Sequence, residues 1–264
     1  MNYREYFESC RENWRQENRS KLPPKLENFY NDPARHIPVS LFGLNYAKAV
    51  NSISEKVFDY FSNNKSQGIM LEYPNIWKDA ASDLNILSGY IVPYLEETMY
   101  GCYLYVDKIY IYRTTKCERD SSYLWHYDNN PNEIVKNIIY LNDVNENNSP
   151  FEYLCKADGK GYMFNSYRQG PEKWSKAPNG SRVTKEVNEL QSSGHRPQKI
   201  TGQKGTTFAF NNNTCHRANP VIEGYRDVVN IRVKPTLKKI EYINPKYTSS
   251  FEKSGVVSPT PNEI

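Results

Sequence analysis

The chain is poor in the features that mark several large protein classes. Nowhere in its 264 residues is there an apolar run of eighteen or more, so no transmembrane helix is expected. The opening stretch, Met1-Asn-Tyr-Arg-Glu-Tyr-Phe-Glu8, is charged throughout and lacks the apolar region of a secretory signal. Cysteine is scarce and scattered: Cys10, Cys102, Cys117, Cys155 and Cys215 are odd in number and form no CxxC pair. That argues against a disulfide framework or a zinc finger and fits a reducing, cytoplasmic setting. The net charge of +4 is too small to imply nucleic-acid binding. No internal repeat is visible.

Tyrosine is abundant, with 22 copies; its ring can face a core while its hydroxyl meets a polar neighbour. The length permits one domain with a substantial core, and 1–264 is read as a single domain with three parts. The first, 1–100, is mainly helical. A charged helix over 1–20 carries Tyr3, Phe7 and Trp14, and Leu22-Pro-Pro-Lys25 stops it. Residues 23–43 read as irregular. Ala47, Val50, Ile53, Val57 and Phe61 recur at spacings of three and four, which predicts a helix over 46–61. A second helical region is expected over 76–99, kinked or divided at Pro93. These helices should pack on one outer face of a sheet.

From Gly101 the period changes. Tyr103-Leu-Tyr-Val106, Lys108-Ile-Tyr-Ile-Tyr-Arg113, 134–141, 151–154, 205–210 and 227–233 read as short strands separated by turn residues, the pattern of an antiparallel sandwich or barrel. The core part therefore runs over 101–235. Within it, 158–204 stands apart as a long loop with nine basic residues against four acids. It is either a lid beside the chemistry that attracts an anion or a solvated insertion. Residues 236–264 form an extension, and from Pro245 a partly mobile polar tail is expected.

The chemistry-bearing stretch is Leu124-Trp125-His126-Tyr127-Asp128-Asn129. On an extended strand, positions i and i+2 point to one side, so His126 and Asp128 converge on one point. Histidine is rare, and the four copies are His36, His126, His195 and His216. His216 follows the apolar run Phe208-Ala-Phe210 and supplies a third ligand; His36 and His195 read as structural and solvated. Two imidazoles and one carboxylate on one face of a metal form the facial triad of non-haem Fe(II) sites. Cys215 points to the opposite side from its neighbour His216 and is assigned to packing, as are Trp125 and Tyr127.

Taken together, His126-x-Asp128, the distal His216 and Arg226 ten residues later resemble the Fe(II)/2-oxoglutarate-dependent oxygenases, in the style of the phytanoyl-CoA dioxygenase-like and prolyl-hydroxylase-like branches. The run Asn137-Ile-Ile-Tyr-Leu-Asn-Asp-Val144 followed by Ser149-Pro-Phe151 is similar to a strand–turn–strand found there, with Ser149 where glycine is usual. The resemblance covers roughly 100–235. It implies a fold that is mainly β with flanking helices: a double-stranded β-helix (jelly roll, cupin-like) beside an N-terminal helical layer.

The resemblance further implies Fe(II) held by His126, Asp128 and His216, with 2-oxoglutarate and dioxygen completing the chemistry. A guanidinium suits the far carboxylate of 2-oxoglutarate because its planar fork makes two parallel bonds. Arg226 stands where the family keeps that arginine, and Arg232, of the same strand parity, is the alternative. Arg113 is a further candidate for contact with 2-oxoglutarate or substrate, and Asn137 for contact with the cofactor. The related halogenases carry a small residue at the position of Asp128, so a carboxylate there implies hydroxylation, desaturation or cyclisation. The expected partner is a small-molecule substrate, anionic if the basic loop is a lid. A protein side chain as substrate, a jelly-roll module that binds without turnover, and a cupin-type metalloenzyme without a cosubstrate remain as alternatives.

Overall fold

A computed structural model describes residues 3–21, 24, 34–74, 76–118, 121–164 and 177–249. The helical stripe read around Ile53 is the buried face of a 21-residue helix. In chain order the helices are α1 (Tyr3–Glu17), α2 (Gly43–Asn63), α3 (Ile76–Asp79), α4 (Ala81–Leu95) and α5 (Thr184–Ser192). The strands are β1 (Ala34–His36), β2 (Leu71–Glu72), β3 (Tyr103–Thr115), β4 (Val135–Tyr140), β5 (Phe151–Cys155), β6 (Arg196–Ile200), β7 (Thr207–Asn211), β8 (His216–Ala218) and β9 (Tyr225–Thr236). No helix among the described residues is long and apolar enough to cross a membrane.

The strands form two antiparallel sheets, one ordered β1-β7-β4-β9-β3-β2 and a smaller one ordered β6-β5-β8. Their facing sides close on a cluster of Ile138, Tyr140, Phe151, Ile200, Phe208 and Phe210. The outer side of the large sheet, with Ile109, Ile111, Ile139, Val229 and Ile231, packs against Phe7, Ile53, Leu84 and Leu87 of the helices. The large sheet is therefore buried on both sides. Its central strands β4 and β9 are accordingly buried along almost their whole length, polar residues such as Asn137 and Asn230 included. The helical layer on one outer face is the arrangement the sequence implied.

Four expectations are corrected. The two strands read over 103–113 are one, β3, carrying a bulge between Val106 and Lys108. The helical region over 76–99 divides at Ala80, not at Pro93, which lies inside α4. The missing N–H of Pro93 falls near the end of that helix, which loosens into a π-helical turn over Glu96–Tyr100. Gly101 then ends it with φ +64°; a side chain there would crowd Arg11 and Pro24. Within 23–43, β1 pairs with β7, while 25–33 lie outside the described residues.

The segment 158–204 is not a structureless loop either. It contains α5, seated through the buried Val187, and β6, which pairs with β5 along its whole length. Residues 165–176 of that segment lie outside the described residues, as do 250–264 of the tail. The part of the tail before them is docked: Thr248 and Ser249 are buried, and the Ser249 amide donates to the Asp107 carbonyl at the bulge, 2.9 Å away.

Candidate metal centre

Backbone pairing brings the two histidines together before any ligand is considered. The amides of His126 and His216 each donate to the other residue's carbonyl, both at 2.9 Å, as in a hydrogen-bonded antiparallel pair. Directly opposed residues of such a pair share a face, and the two imidazole centroids are 4.3 Å apart. His216 opens β8. His126 makes only isolated bridges, to His216 and to Arg182, and the chain from 127 to 131 is irregular, so the expectation that both residues of the H-x-D triplet sit on a regular strand is corrected. Asp128 is instead positioned by its own amide, which donates to the Asn212 carbonyl at 2.9 Å.

Asparagines fasten the turn that follows. Asn213 Nδ2 donates to the Asn130 carbonyl at 2.7 Å and to Asn132 Oδ1 at 2.6 Å, and Asn211 Nδ2 donates to the Asn132 carbonyl. Asn129 takes a left-handed φ of 51°, which asparagine tolerates better than most residues. The run Asn211-Asn212-Asn213 thus ties the turn after His126 to the approach to His216, a role the sequence reading did not assign.

Ligand atoms of His126, Asp128 and His216 all lie within 4.8 Å of one another. Each imidazole places Nδ1 against the carbonyl two residues earlier: His126 to Leu124 at 2.8 Å, His216 to Thr214 at 2.7 Å. A carbonyl only accepts, so Nδ1 carries the proton and Nε2 keeps its lone pair. His216 Nε2 is 3.9 Å from Asp128 Oδ2. Burial, with the neighbouring His216, pushes His126 down to about 3, and burial pushes His216 down as well. Burial raises Asp128, but Lys136 and the two imidazoles outweigh it and hold the carboxyl well below its usual range. Two neutral imidazoles and one carboxylate are the donor set that suits a divalent metal of the Fe(II) kind.

The surroundings are specific. Lys136 Nζ is 2.8 Å from Asp128 Oδ2, an ion pair the sequence reading missed. Phe151 stacks on the His216 ring at 5.4 Å, and Phe210 meets its edge at 5.0 Å. Cys215, Trp125 and Tyr127 point to the opposite side and pack with Leu154 and Val187, as alternation required. His36 lies on β1 opposite Phe208, and His195 meets the Tyr162 ring edge-on.

The remaining candidates separate by face. Arg226 is paired with Thr114 across β9 and β3 and is buried, its Nη1 donating to the Ser149 carbonyl at 2.6 Å. Arg226 Nε and the Ser149 hydroxyl are both buried without a hydrogen-bond partner. Arg113 is corrected as a cofactor contact. It lies one residue out of phase with Thr114 and makes a bidentate pair with Asp227, both bonds 2.7 Å. Its guanidinium is sandwiched 3.9 Å from the Tyr225 centroid and 4.8 Å from that of Phe61, on the helical side of the sheet. Asn137 is corrected likewise: it is opposite Ala209 and Ile231, residues of the helix-facing core, and its Nδ2 donates to the Ile231 carbonyl at 3.1 Å. Arg232, the alternative to Arg226, is occupied by Asp107 through bonds of 2.9 and 2.6 Å.

No protein-family model matches the chain, and no curated protein matches it. Solved structures do. HygX from Streptomyces hygroscopicus, with nickel and 2-oxoglutarate bound, aligns at a TM-score of 0.52 and 16% identity over 90% of this chain and 97% of its own. EctD from S. alaskensis aligns at 0.55 and 13% identity over 89% and 85%. The non-haem, α-ketoglutarate-dependent carbocyclase SnoK from nogalamycin biosynthesis aligns at 0.51 and 13% over 81% and 84%. The chain has their fold. It is a jelly roll, and at these identities the likeness is one of architecture alone.

Proposed function

We propose that this protein is an Fe(II)- and 2-oxoglutarate-dependent oxygenase that hydroxylates a small, anionic substrate. The observation that carries this reading is the convergence of two imidazoles with free Nε2 atoms and one carboxylate on a single point inside the barrel. When bound, Fe(II) with 2-oxoglutarate and dioxygen supplies the oxidising power, 2-oxoglutarate leaving as succinate and carbon dioxide.

The residues have distinct tasks. His126, His216 and Asp128 would hold the metal. Lys136 pairs with Oδ2 of Asp128, the oxygen 3.9 Å from His216 Nε2, and keeps that carboxylate charged. Phe151 and Phe210 keep water from the flanks of His216. Arg226 and Ser149 suit the far carboxylate of 2-oxoglutarate, since Nε and the hydroxyl are buried donors that an incoming carboxylate would satisfy. Arg226 has no acidic partner among the described residues, unlike Arg113 and Arg232. The bound nickel and 2-oxoglutarate of HygX, in the same architecture, support the assignment. The free cysteines support a cytosolic location.

Adding Fe(II) and 2-oxoglutarate under anaerobic conditions should produce a weak visible charge-transfer band, and His126→Ala or Asp128→Ala should remove it while leaving the circular dichroism spectrum unchanged. A wild-type band in either variant rejects the triad.

A further inference from the structure

On the metal-facing side of the barrel, two guanidinium groups lack an acidic partner among the described residues. One is Arg226, accounted for above. The other is Arg182, which sequence reading counted only as part of a basic loop.

Its position is built by the backbone. Gly180 and Ser181 take consecutive left-handed φ values of 59° and 66°, a turn that delivers the next residue onto the edge of the metal centre. Val183 N donates to the Trp125 carbonyl at 2.9 Å, and Tyr127 N to the Ser181 carbonyl at 3.3 Å. These bonds flank His126 and Arg182 and make them a non-hydrogen-bonded antiparallel pair, the kind whose side chains approach most closely and leave by the same face. His126 therefore lies between His216 on one side and Arg182 on the other, with all three side chains on the metal-facing side. Arg182 is half-buried, and no hydrogen bond or ion pair engages its guanidinium among the described residues. Among the described residues on this face, Lys136 is paired with Asp128, and Arg232 and Lys234 with Asp107.

We propose that Arg182 anchors the anionic group of the substrate, a carboxylate or a phosphate, beside the metal. It would be a specificity-determining residue distinct from the cosubstrate clamp at Arg226. A planar fork of donors at the rim suits either anion, and its half-exposed setting suits a group that arrives and leaves with each turnover. The assignment of that anion as substrate rests on the oxygenase reading; the presence of an anion site does not.

The test uses inorganic sulfate as the probe, titrated by calorimetry at constant ionic strength. It is applied to the metal-free protein and to the protein loaded with Ni(II) and 2-oxoglutarate, after the loading itself has been measured. Saturable binding is expected in both states. Arg182→Gln should weaken it at least tenfold, Arg182→Lys should restore part of it, and Arg226→Ala should leave the loss on Arg182→Gln intact. Loading of Ni(II) and 2-oxoglutarate should be unchanged in Arg182→Gln. No saturable sulfate binding to the wild type, or equal binding to Arg182→Gln, overturns the proposal even if the metal and 2-oxoglutarate load normally. Weakened 2-oxoglutarate loading in Arg182→Gln also overturns it, because Arg182 would then belong to the cosubstrate. Failure of 2-oxoglutarate to load at all, with Arg182-dependent sulfate binding retained, leaves the anion site standing and removes the oxygenase.

Discussion

Ser149 combines a strained backbone with an unanswered side chain. Its φ of 69° belongs to glycine territory, and a non-glycine residue there costs about 1 kcal/mol. Its hydroxyl is buried, unpartnered and adjacent to Arg226 through the residue's own carbonyl. The two properties separate by substitution. Ser149→Gly should raise stability by about 1 kcal/mol in a denaturant titration, and Ser149→Ala should not. Both should raise the KM for 2-oxoglutarate, by roughly tenfold for one charge-assisted hydrogen bond. An unchanged KM in both would take Ser149 out of the clamp. Lys136 behaves differently because its partner is a proposed metal ligand. Lys136→Met should lower the melting temperature of the metal-free protein, since Asp128 is left inside without its cation. Added metal should then raise that temperature by more than it does in the wild type.

At the scale of elements, the decisive quantity was strand parity, and the sequence hid it. The convergence of His126, Asp128 and His216 was readable because histidine is scarce and the three stood in a recognisable order. Arg113 and Asn137 were misplaced because β3 and β4 are buried on both faces, so neither alternation set is polar and nothing marks which one looks inward. The bulge beside Asp107 shifts the phase of β3 again. Lys136, one residue from Asn137, was the inward-facing polar group. The corrected placement has a measurable consequence. Arg113→Met breaks a buried bidentate pair with Asp227 and should cost about 3 kcal/mol of stability. It should leave the KM for 2-oxoglutarate untouched, and a tenfold rise in KM at wild-type stability would return Arg113 to the cosubstrate. A second element-level prediction concerns the π-helical turn. Burial pushes the Glu96 carboxyl from an ordinary 4.5 up to about 7, partly offset by its bond from the Leu104 amide. The folded chain thus keeps a proton that the unfolded chain releases. The contribution is full below about 4.5 and is lost as pH rises to about 7. Glu96→Gln should therefore gain stability relative to wild type between pH 5 and pH 7.5, read from denaturant midpoints; a constant difference refutes the raised value.

For the molecule as a whole, the two-layer plan was legible from the change of period at Gly101, from helical spacing to short strands. The region 158–204 was not, because α5 and β6 are short and polar and are held by β5 and the underlying cluster rather than by their own periodicity. Misread as a loop, that region conceals Arg182, whose value lies in the segment it pairs with and not in its neighbours along the chain. The proposed metal centre joins stretches far apart in sequence. His126 meets Arg182 on one flank and His216 on the other. No short fragment holds these partners together, so the site comes into being only with long-range closure of the barrel. During synthesis the ribosome must release most of the polypeptide before an ion can be captured, and a nascent chain stalled short of position 216 would carry the H-x-D pair with nothing to complete it.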